Sequence, residues 1–253
     1  MADDHHATAP LLPAPAAGLG NVPTLPQPPA HEQARLAQGF AWVFWGTFAL
    51  LGAAAELMLA PTLRLFPALI GAVGAAGVCR GAWCLQATPS LGRAWQQRVR
   101  GLVLSAGLTA YLTPFCWLWR QVPTNRYFLC HALAWGGTFL IYLVMANECI
   151  RLFGRATGHR SLVFQASLFS VTTVLVLFLP FLFLAQALVR LTWAGNDPLE
   201  ALQFALAHLP AVLVFVMLAP VSLTMSLVWA ARDLALTRLT TPPANPMLGS
   251  TQS

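Results

Sequence analysis

The sequence predicts an all-α, polytopic transmembrane helix bundle: six spans, both ends in the cytoplasm, preceded by a disordered N-terminal tail. Three observations predict it. Hydrophobic residues make up 57% of the 253 and charged ones only 9%, where a soluble domain carries about 25%. The apolar residues are gathered into six long stretches almost free of charge. Arginines crowd every second connection between those stretches.

Residues 1–34 are rich in Pro and Ala (PLLPAPAAGLG, then PTLPQPP), and such a segment is expected to be disordered and partly polyproline-like. It opens on Asp3, Asp4, His5 and His6, the reverse of the basic start of a signal peptide. A transmembrane domain then fills 35–239, and 240–253 form a short disordered tail. Six spans of roughly 20 residues use about half the chain, which leaves no room for a separate soluble domain.

The first span is expected at 39–60, stopped by Pro61. A short turn holding Arg64 leads into the second, 65–86, where Arg80 can snorkel to the interface. The third is expected at 101–119 and the fourth at 127–147. The fifth, 163–189, contains Pro180, and the sixth, 201–230, contains Pro210 and Pro220. Asp197-Pro198-Leu199-Glu200 reads as a helix start, with Asp as cap, Pro at the first position and Glu three residues on. The stretch from there exceeds a bilayer's need, so a tilt or an interfacial segment before Pro210 is expected.

In 90–102, Leu91, Trp95, Val99 and Leu102 recur at helical spacing with Arg93, Gln96, Gln97 and Arg100 off that face. That pattern predicts an amphipathic helix lying on the cytoplasmic leaflet, capped by Ser90. An extension of the third span is the other reading.

Orientation follows from arginine alone, since lysine is absent. One side holds Arg35, Arg80, Arg93, Arg98, Arg100, Arg151, Arg155, Arg160, Arg232 and Arg238; the other holds Arg64, Arg120, Arg126 and Arg190. The bias puts the first set inside. Trp42, Trp45, Trp117, Trp193 and Trp229 fall near expected span ends, as an aromatic belt would. The net charge of +6 therefore reads as an orientation signal and not as a nucleic-acid surface. The absence of lysine beside abundant Ala, Leu, Arg, Pro and Gly suggests a GC-rich bacterial genome and so an inner membrane.

That absence also removes a Walker A phosphate loop, Schiff-base chemistry and a lysine nucleophile. No HExxH, GxSxG, Gly-rich phosphate loop or paired-carboxylate motif is present. The five cysteines form no CxxC pair and read as buried small apolar residues. No catalytic residue is assigned.

Depth along the spans singles out three groups. Glu56, His131 and His208 fall on three helices roughly 6–11 Å below the outer boundary at 1.5 Å per residue. Together they would suit a transition-metal site, a proton relay or, for the two histidines, a b-type haem. At the cytoplasmic side Arg80, Glu148, Arg151, Arg232 and Asp233 form a candidate charge cluster, with Asn147 beside it. Glu148 and Arg151 are an i,i+3 pair, and Arg80 could pair with Glu148 or Asp233. In the second span Gly71, Gly74, Gly77 and Gly81 make a smooth face that lets another backbone approach, within this chain or in a partner.

Three functions compete on these residues. The first is a non-enzymatic membrane subunit or scaffold that packs in the lipid bilayer against a membrane-protein partner or its own copies, with no cofactor. The second is a small-solute or ion permease using the polar cluster of Glu56, His131 and His208. The third is a haem- or metal-binding redox protein.

Overall fold

A computed structural model of the chain describes residues 28–59 and 66–240. Pro61, Arg64, residues 1–27 of the expected tail and residues 241–253 lie outside them. Among the described residues the protein is helical throughout, with no strand. The helices are α1 (Ala30–Leu59), α2 (Phe66–Gln86), α3 (Gly92–Gln121, after a 3-10 turn Pro89–Leu91), α4 (Arg126–Ala156), α5 (Arg160–Thr173), α6 (Leu179–Trp193), α7 (Pro198–His208) and α8 (Ala211–Thr240). A π-helical turn, Val174–Phe178, joins α5 to α6. Six helical stretches are long and apolar enough to cross a membrane, so the multi-pass character read from the sequence stands.

Local chemistry explains where the helices stop. Asn125 caps α4 by accepting from the Tyr127 amide at 2.9 Å. Asp197 caps α7 by accepting from Leu199 and Glu200, with Pro198 at the first helical position, as its sequence predicts. Gly158 and Gly195 take positive φ just past α4 and α6. There His159 donates back to Gly154 and Asn196 to Leu191, the six-to-one bonds that close a helix through a left-handed residue.

Three boundaries differ from the sequence reading. The first helix begins at Ala30, inside the expected tail, because Glu32, Gln33, Leu36 and Ala37 are buried against the bundle. The stretch 90–102 is no surface helix: it is the first turns of α3, and Trp95, Val99 and Leu102 face the protein core, not the lipid. Its indole anchors the turn before it, Trp95 Nε1 donating to Thr88 Oγ1 at 3.0 Å and Leu85 O at 3.2 Å. Ser90 does not cap that helix; its hydroxyl donates to Glu32. The sixth expected span divides in two. Leu209 is extended (φ −67°, ψ 130°) because Pro210 disfavours helical geometry in the residue before it. The spanning stretch is Val212–Thr240, and α7 is a separate short helix.

The bundle is organised around α4, which packs on α3, α5, α6 and α8, while α1 packs on α2 and α8. The main core runs through Phe40, Trp95, Tyr142 and Phe153. A smaller apolar cluster of Trp119, Leu129, Leu188, Leu199 and Leu202 ties α7 to the arginine-poor end.

Candidate functional site

The three sequence-derived groups have different fates. Gly74, Gly77 and Gly81 pack directly on α1. A Cβ at Gly74 would lie 2.8 Å from the Leu50 amide nitrogen, and one at Gly81 would lie 2.7 Å from that of Val43. The partner surface is itself glycine: a Cβ at Gly46 would come within 2.5 Å of the Val78 nitrogen. Gly71 lies further along, its missing Cβ facing Thr113 of α3. The smooth face is therefore spent inside this chain. Gly39 and Gly46, seven residues apart on α1, complete it; their spacing carries the same signal as the second-span glycines.

Among Arg80, Glu148, Arg151, Arg232 and Asp233, the acid–base contacts stay within helices. Arg151 pairs with Glu148 one turn back on α4, and Arg232 with its neighbour Asp233 at 3.0 Å. Arg80 meets neither Glu148 nor Asp233 and instead lies over the Trp42 ring, 5.6 Å from its centroid. Arg232 also covers Trp229 at 4.3 Å. These guanidiniums pin tryptophans near one end of the bundle through cation–π contact.

His208 is exposed and His131 half-buried, and each binds its own helix. Nδ1 of His131 shares a hydrogen bond with Tyr127 O, and Nδ1 of His208 one with Phe204 O, both at 2.8 Å. The His131 ring stacks on Phe115 at 4.5 Å and that of His208 leans on Phe204 at 4.1 Å. Glu56 is half-buried, and among the described residues its Oε1 has no hydrogen-bond partner. Among the described residues no three His, Cys, Asp or Glu side chains are placed to hold a metal ion, so this structure does not gather Glu56, His131 and His208 into one such site.

The interior polar groups instead join helices pairwise along α4. Trp135 donates to Thr113 of α3 at 3.1 Å, and Tyr142 and Thr47 of α1 share a bond of 2.9 Å. Asn147, fully buried, donates from Nδ2 to Thr224 Oγ1 of α8 at 3.0 Å, and that hydroxyl donates on to Pro220 O. Among the described residues Oδ1 of Asn147 has no partner. Hydroxyls facing each other across spans give no sequence signal beyond their polarity.

The open space lies elsewhere. A groove of about 310 Å³ runs between α4, the π turn, α6, α7 and α8, and its lining is apolar throughout, from Gly136, Leu140 and Phe181 to Leu202 and Met217. A second void of about 230 Å³ lies between α4, α5 and the π turn, beside Leu140, Thr173 and Phe178. By contrast, the cavity between α1, α2, α3 and α4 is about 30 Å³, room for little more than one water. Pro180 is one of the sequence's two pointers to the groove, with Gly136: it offers no N–H to the preceding turn, and the widened π turn lies just before it. No protein-family model, curated protein or solved structure matches the chain.

Proposed function

We propose that the protein is a non-enzymatic subunit of a bacterial inner membrane, with both ends in the cytoplasm, that associates laterally with another transmembrane protein through its fifth span and the first turns of α8. The observation that supports this reading is the start of α8. Residues 212–219 cover two helical turns, and every one of them is exposed, so no face of that segment is buried in the bundle. Beside it, the fifth span is 6% buried over its most apolar window, against 44% for each of the first two spans. Exposure to lipid carries no penalty for such side chains, because lipid tails are as apolar as leucine. A membrane helix with few buried contacts is another matter, since van der Waals packing on other helices is what holds it in place.

The permease reading drew on Glu56, His131 and His208, and the redox reading on the two histidines. None of the three lines the 310 Å³ groove or the 30 Å³ cavity; the redox reading rests on depth alone, and the permease reading on depth and on proline-kinked helices, which are common in membrane proteins that transport nothing. The test is photo-crosslinking in native membranes with benzoylphenylalanine at Phe215, at Phe183 on the fifth span, and at the equally exposed Tyr111 of α3. The expected result is a protein adduct of discrete mass from Phe215 and Phe183 and none from Tyr111. Lipid adducts alone at all three sites, with a lone monomer in mild detergent, would sink the proposal.

A further inference from the structure

The 310 Å³ groove has a shape that selects its occupant. Its floor is Gly136 and Leu140 of α4, one wall is Phe181 and Leu184 of α6, and Leu206 of α7 roofs it. The cluster of Trp119, Leu129, Leu188, Leu199 and Leu202 packs α7 against α3, α4 and α6 at the arginine-poor end. The side towards the start of α8 stays open, where Met217 touches the groove and residues 212–219 are all exposed.

Depth places the groove in hydrocarbon. Gly136 is ten residues along α4 from Arg126, about 15 Å, and Leu184 is six residues from Arg190 on α6, about 9 Å. Water is not a suitable filling, because a buried water needs two to four polar partners and the lining side chains have none to offer. A transmembrane helix does not fit either: at 10–12 Å across, one 5.4 Å turn displaces about 400 Å³ or more. A hydrocarbon chain does fit. A cavity of about 150 Å³ accommodates six-carbon benzene, so by that measure this groove takes on the order of a dozen carbons.

We propose that the groove is the binding site for one acyl chain of a bilayer phospholipid, which enters between α6 and α8 and ends against Gly136 and the Phe181 ring. The chain gains nothing from leaving water, being among lipid tails already. It gains contact on three walls that would otherwise face a void, so it is held when bulk lipid is exchanged for detergent. This site concerns the monomer and stands whether or not a protein partner covers the fifth span.

The experiment has two arms. The full chain, purified in mild detergent, is extracted and its phospholipid counted by mass spectrometry; separately, it is irradiated in vesicles of a phosphatidylcholine with a diazirine midway along one chain. About one retained phospholipid per protein is expected, with adducts concentrated in the 177–184 and 202–209 peptides. Ala205→Phe, at an exposed position that lines the groove, should cut retention at least fivefold. Gly136→Ala should do the same by a different route, since its Cβ would meet the Phe181 ring at 2.6 Å and drive it into the groove. Gly107→Leu, on an open lipid-facing surface, should change nothing. Equal retention in all three variants, adducts spread evenly over α2 and α3, or an extract carrying a polyisoprenoid in place of phospholipid would each overturn the proposal.

Discussion

Two parts of this bundle pack by opposite means. The α1–α2 hairpin brings two backbones into direct contact through Gly39 and Gly46 on one helix and Gly74, Gly77 and Gly81 on the other, and the cavity beside it is about 30 Å³. The fifth span approaches the α4 backbone closely at its start, where a Cβ at Gly154 would lie 3.3 Å from the Val163 nitrogen; further along it meets α4 through branched and aromatic side chains, Gly136 and Gly137 admitting the Phe181 ring. Voids of about 310 and 230 Å³ flank it. The fifth span is the more hydrophobic in sequence, with a mean hydropathy of 2.5 against 1.3 and 1.5 for the first two spans. The difference teaches that apolarity places a helix in the membrane but does not join it to its neighbours, because lipid competes on equal terms. What joins helices here is a small residue opposite a backbone.

The sharpest way to break that contrast is one methyl group. Gly46→Ala puts a Cβ 2.5 Å from a backbone nitrogen of α2, where no side chain can swing aside, so the helices must separate. The expected cost is about 1–3 kcal/mol or more, as for an overpacked core. Gly52→Ala, six residues on in the same helix, meets nothing within 4 Å and should stabilise by about 0.5–1 kcal/mol, by relieving the entropic cost of glycine in a helix. Reversible unfolding in mixed micelles measures both. Equal effects at the two positions would mean that the close approach is not what holds the hairpin.

A smaller effect is expected where α4 meets α8. Thr224→Val keeps the shape of the side chain but removes the acceptor for Asn147 Nδ2, and Oδ1 is already without a partner among the described residues. An amide left wholly unsatisfied costs about 1–3 kcal/mol. Adding Asn147→Ala then removes the orphaned group, so the double variant should be more stable than Thr224→Val alone. That reversal of sign is the diagnostic result. If the second substitution costs further stability, the buried amide has another partner or its packing outweighs its polarity.

The contrast between the two regions was only half legible in the sequence. Span number and approximate position were readable, because charge and proline interrupt an apolar run wherever depth demands it. The glycine face was readable too, since Gly74, Gly77 and Gly81 repeat at helical spacing, though whether α1 or another chain would cover it was not. The surface-helix expectation for 90–102 failed on a physical ambiguity: an apolar stripe of Leu91, Trp95, Val99 and Leu102 serves a lipid surface and a protein core alike. Common depth brought Glu56, His131 and His208 to attention, but depth says nothing of azimuth, and both histidine side chains turn out bonded to their own helices. The groove was almost silent, because a void is defined by where side chains fail to meet. Pro180 and Gly136 are the sole traces of it in the linear order.

The smallest effects belong to the charged side chains, although these drew most notice in the sequence. Arg80 is exposed and covers Trp42 from one side, a geometry worth about 0.5–1 kcal/mol at such a site. Glu148 and Arg151 are one turn apart on α4, and pairs of that kind contribute roughly 0.3–0.5 kcal/mol, reduced by salt. Arg80→Ala and Glu148→Gln should therefore each lower unfolding stability by no more than about 1 kcal/mol, and together by about the sum, since their partners differ. A cross-helix charge cluster would behave otherwise. Removing one member would strand a half-buried partner, and the two losses would not add. Strict additivity at low and high salt would place Arg80 with the tryptophan and Glu148 with its own helix; a coupling above about 0.5 kcal/mol would restore the cluster that the helix ends do not display.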